Sequence, residues 1–123
     1  MATVNKISSA QSISVYEIIL DSEREQAVID LTAARNAAVD WLNGGLSWTI
    51  NEPNGDFEVE VEHSLMPSGY DGSQYWTPDA ESPFTEPAEG NEHNRIQRIR
   101  FTNVSGQPVI VVASNANITV ETS

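Results

Sequence analysis

Residues 21–45 read DSEREQAVIDLTAARNAAVDWLNGG, and whether they coil or extend decides the class of the fold. Ser22 and Glu25 stand at the spacing of a capping box, in which a hydroxyl and a carboxylate satisfy the free N–H groups of a first helical turn. Val28, Leu31, Ala34, Ala38, Trp41 and Leu42 recur at helical spacing. Asn43-Gly44-Gly45 offers a left-handed stop. The pattern predicts an α-helix over about 22–43, with alanines that let another element approach closely.

The segments on either side read as β. SISVYEIIL (12–20) alternates and then turns continuously apolar, which favours a strand over a competing helix. LSWTINEPNGDFEVEVEHS (46–64) places two β-prone runs around the turn formers of Asn51–Asp56, the pattern of a hairpin over about 46–63. In its second arm Phe57, Val59, Val61 and His63 alternate with Glu58, Glu60 and Glu62, so one face is buried and the other wet. Residues 64–94 hold four of the six prolines (Pro67, Pro78, Pro83 and Pro87) without periodicity, and read as a long irregular loop. Its aromatic side chains argue for an ordered loop. From 95 to 122 three β runs separated by tight turns predict a meander. The expected fold is α+β: mainly an antiparallel β-sandwich or barrel-like domain with one α-helix and a long irregular loop. Residues 1–11 form an N-terminal arm and 12–123 a single domain.

Composition narrows the function. Eighteen Asp and Glu face six Lys and Arg, a formal net charge of −12. A surface of that sign repels phosphates, so nucleic-acid binding is disfavoured. The acidity fits solubility, a high-salt setting, or mimicry of nucleic acid toward a DNA-binding partner. The absence of cysteine rules out a disulfide framework and thiolate chemistry. No apolar run approaches the ~20 residues of a membrane helix, and the first 20 residues lack the apolar centre of a signal peptide. A soluble protein is expected.

No catalytic arrangement is signalled, and no cofactor is implied. The Glu58/Glu60/Glu62 ladder lies on a solvated strand face. His63 and His93, each beside an acidic neighbour (Glu62 and Glu92), are metal-ligating types, but a chain of this length offers such a pair by chance, and no metal is assigned. The sequons at Asn103 and Asn117 carry weight only with a secretory route. Interface candidates remain: Lys6 and Ile7 in the arm; Arg95, Arg98 and Arg100, half of all the basic residues; and Tyr70, Tyr75, Trp76 and Phe84 in the loop. With Ile99 and Phe101 turned inward, Arg98 and Arg100 face outward together, where cross-strand pairing with the glutamate ladder is the simplest use for them.

RFTNVSGQPVIVVASNANITVE (100–121) and the polar arm MATVNKISSAQS (1–12) resemble small structural proteins of the virions of tailed bacterial or archaeal viruses. The resemblance implies a non-enzymatic capsid decoration or cement protein, or a head or tail assembly component, located in the virion and assembled in the host cytoplasm. It implies a homo-oligomer such as a trimer and contacts with other virion proteins such as the major capsid protein; the charge and the short apolar runs leave neither nucleic acid nor membrane as an expected partner. The alternatives are a monomeric glycan- or protein-binding module using the 64–94 loop, and an acidic DNA-mimic inhibitor.

Overall fold

The computed structural model describes residues 2–8, 14–31, 46–53, 55–66, 75–92, 96–115 and 118–122. Among them every regular element is a strand: β1 (Thr3–Ser8), β2 (Ser14–Leu20), β3 (Gln26–Asp30), β4 (Leu46–Asn51), β5 (Val59–Ser64), β6 (Thr77–Pro78), β7 (Ala88–Glu92), β8 (Arg98–Asn103), β9 (Val109–Asn115) and β10 (Thr119–Thr122). They form two five-stranded sheets, in the orders β1-β2-β9-β4-β7 and β10-β3-β8-β5-β6. Every pairing is antiparallel. From β2 onward each connection crosses from one sheet to the other, except β5 to β6. The inner orders β2-β9-β4-β7 and β3-β8-β5-β6 are those of an eight-stranded jelly roll, to which β1 and β10 add one edge strand each.

The fold is therefore all-β, and the α+β expectation is corrected. Ala27, Ile29 and Leu31 are wholly buried while Gln26 and Val28 are half-buried, a period of two that belongs to a strand. The capping-box residues are real hydrogen-bonding groups used differently. Glu25 Oε2 accepts the Asp21 N–H at 3.0 Å, and the Glu25 N–H donates to the Ser22 carbonyl at 3.2 Å, closing the turn that carries the chain from β2 to β3. Arg24 sits in that turn at φ 70°, and its N–H donates to the Asn103 carbonyl at 2.7 Å. The remainder of the expected helix, 32–43, lies outside the described residues.

Two pairings are corrected as well. β4 and β5 are not a hairpin: β4 lies between β9 and β7, and β5 between β8 and β6, in opposite sheets. β8, β9 and β10 are not a meander, because β9 belongs to the other sheet. Short turns here bridge the two layers, and turn chemistry alone does not reveal whether the chain returns beside itself or crosses. The expected arm contributes β1, paired antiparallel to β2. The long loop supplies β6 and β7.

One core lies between the layers. Ile18, Leu20, Ile50, Val109 and Val111 come from one sheet, and Ile29, Val59, Val61, Ile99 and Phe101 from the other, all fully buried. Each such aliphatic side chain removed from water is worth about 1.5–3 kcal/mol. Trp48 spans the layers, with its ring edge-to-face on Phe101 at 5.3 Å and on Phe84 at 5.8 Å. Gly90 makes room for it, since a Cβ there would lie 2.4 Å from the indole. Asn103 is buried and fully engaged. Its amide donates to the carbonyls of Leu20 and Gln107, and its Oδ1 accepts from the Gly106 N–H. A side chain so enclosed cannot carry a glycan in the folded chain.

Candidate functional site

β5 positions two chemically distinct clusters, because consecutive side chains of a strand point to opposite faces. Glu62 points outward and His63 toward the space between the sheets.

On the outer face, Glu62 opposes Arg100 in register. Arg100 donates from Nε at 3.0 Å and from its terminal nitrogen at 2.7 Å, both to Glu62 Oε1. The expected pairing of the arginine strip with the glutamate ladder is found at this position. Arg98, two residues earlier, is buried; its Nε donates to the Met66 carbonyl at 2.8 Å. Both guanidinium groups lie over the Trp76 ring, Arg98 at 4.6 Å and Arg100 at 4.2 Å from its centroid. Trp76 thus caps the outer strip, and its indole face is occupied by cations of its own chain.

On the inner face, at the mouth between the sheets, three groups converge. His63 Nε2 lies 3.4 Å from Glu92 Oε1 and 3.6 Å from Asp79 Oδ2, and each side chain is about four-fifths enclosed. Glu92 ends β7 in one sheet, while His63 and Asp79 belong to β5 and the turn after β6 in the other. Both carboxylates are held from behind. Asp79 Oδ1 accepts the Glu81 N–H at 2.9 Å, and Glu92 Oε1 accepts the Trp48 indole N–H at 3.2 Å. The Glu92 carboxylate raises the His63 pKa above its ordinary value, burial opposes the rise, and Asp79 adds to it. At 3.4 Å the imidazole and Glu92 are beyond the 2.7–3.2 Å of a well-formed N–H···O bond, so the attraction acts across a gap. His63 Nε2 is buried without a hydrogen-bond partner.

The remaining interface candidates are dispersed. Lys6 stands 5.9 Å from the Tyr16 ring centroid. Ile7 is 56% and Tyr75 71% exposed. Phe84 packs against Trp48 and the core, not outward. Tyr70, Arg95 and His93 lie outside the described residues. Asp79 carries no signal in the sequence, because it follows a two-residue strand inside an irregular, proline-rich stretch. Glu92 stands out in the sequence only as a neighbour of His93.

Neither a protein-family model nor a curated protein sequence matches this chain.

Proposed function

We propose that this protein is a non-enzymatic structural module of a tailed-virus virion, acting through protein–protein contacts, with β1 as its docking strand. The observation that carries the reading is the edge of the first sheet. Among the described residues β1 pairs on one side only, and Val4 and Ile7 are 36% and 56% exposed. Its one charge is Lys6, in a chain of net charge −12. Edge strands are usually protected by charges, proline or bulges, since their free N–H and C=O groups recruit further strands. In β1 the register shifts only between Lys6 and Ser8, leaving Thr3–Lys6 regular. Such a strand suits β-augmentation by a second copy or a capsid protein. The jelly roll adds support by analogy, since it recurs in viral capsid domains; it also occurs in lectins, so fold alone does not decide. Against the glycan-binding alternative, Trp76 is engaged by Arg98 and Arg100 rather than open for sugar stacking.

The test is the solution mass by light scattering at low and high salt. A discrete oligomer is expected, strengthened by salt that screens the negative charge. The double variant V4E/I7E, which adds like charge along the edge, should be a folded monomer. A wild-type monomer under both conditions that also fails to bind capsid particles would overturn the proposal.

A further inference from the structure

We propose that His63, Asp79 and Glu92 form a binding site for one divalent transition-metal ion, with zinc(II) best matched by the donor set, bridging the two sheets. The three side chains each offer one ligand atom, and these atoms all lie within 4.8 Å of one another.

The spacing is that of ligands around an ion. Zinc takes imidazole nitrogen and carboxylate oxygen at about 2.0–2.2 Å in tetrahedral sites, which sets neighbouring ligand atoms roughly 3.3–3.6 Å apart. The observed 3.4 and 3.6 Å from His63 Nε2 to the two carboxylates fall in that range. They are too long for direct hydrogen bonds.

The nitrogen itself is a second observation. His63 Nε2 is shut off from solvent and makes no hydrogen bond, yet it faces two carboxylate oxygens. A buried nitrogen without a hydrogen bond is costly, and a cation between it and the two carboxylates would give His63 Nε2 a direct ligand bond.

The third observation is how the carboxylates are held. The Glu81 N–H fixes Asp79 through Oδ1 and leaves Oδ2 toward His63, while the Trp48 N–H fixes Glu92. Metal sites orient their ligands through such outer hydrogen bonds. Gly90 permits the Trp48 placement on which the Glu92 bond depends. The imidazole donor argues against calcium and magnesium, which prefer all-oxygen shells.

The ion would clamp the turn after β6 in one sheet to β7 in the other. The site does not depend on β1 or on assembly, so it can fail or succeed separately from the virion reading.

The experiment is calorimetric titration of the metal-free full-length protein with zinc chloride, in excess magnesium to occupy scattered surface carboxylates. One saturable zinc site per chain is expected, together with a rise in melting temperature. His63→Gln and Asp79→Asn should each weaken binding by at least about tenfold, the latter keeping an acceptor for the Glu81 N–H. Circular dichroism of the metal-free variants separates lost ligands from lost folding, and Glu92→Gln, which can still accept from Trp48, supplies a third variant if one fails to fold. Absence of a saturable site, or binding that these variants leave unchanged, would overturn the proposal.

Discussion

Glu62 and His63 are neighbours in sequence and occupy opposite environments. Outside, Glu62 meets Arg100 in a two-pronged ion pair capped by Trp76, and the charges match. Inside, one imidazole faces two carboxylates across gaps of 3.4 and 3.6 Å. The outer cluster is a hydrogen-bonded ion pair, whereas the inner one holds its charges at distances beyond a well-formed hydrogen bond. A strand alternates its faces, so a single residue step separates a structural ion pair from a ligand set.

Gly90→Ala should do the most damage, and only to the inner side. Its Cβ would fall against the Trp48 ring at 2.4 Å, displacing the indole that holds Glu92. Overpacking of this kind costs about 1–3 kcal/mol, measurable by urea denaturation. A loss under about 0.5 kcal/mol would mean that the Trp48 packing is looser than described.

The pH response should separate the clusters next. His63 has a folded-state pKa above its unfolded value, so its contribution to stability is complete below the unfolded value near 6.5. That contribution is lost as pH rises through the higher folded value. Metal-free protein should therefore lose stability over this window. His63→Gln should flatten the loss, while Glu62→Gln should leave its shape unchanged. Denaturation midpoints at a series of pH values provide the check.

Smaller still is the outer pair. Glu62→Gln keeps an oxygen that can accept from Arg100 and should cost about 0.2–1 kcal/mol. Tyr75→Ala, at a side chain 71% exposed, should change stability by less than about 0.5 kcal/mol.

Much of this contrast was legible in the sequence. Glu58, Glu60 and Glu62 alternate with Val59, Val61 and His63, and that pattern alone assigned the faces of β5. The outward pairing of Arg100 followed from the same logic applied to Ile99 and Phe101. The helix expectation failed because Val28 and Leu31 fit a helical spacing while Ala27, Ile29 and Leu31 fit a strand. A local capping pattern at Ser22 and Glu25 tipped the balance, although tertiary packing uses that glutamate to close a turn. The inner site was hidden for a different reason. Asp79 and Glu92 come from short, polar strands and turns without periodicity; Asp79 reaches His63 because β6 pairs with β5, and Glu92 because β7 faces them from the other sheet. Pairings between layers leave no mark on local sequence.

The most direct test of the inner cluster is an NMR titration of the histidine imidazoles in metal-free protein, with His63→Gln assigning the signals. The account predicts that His63 titrates above 6.5, held up by Glu92 and Asp79. A value at or below 6.5 would contradict it, showing that burial and not the two carboxylates governs the His63 proton.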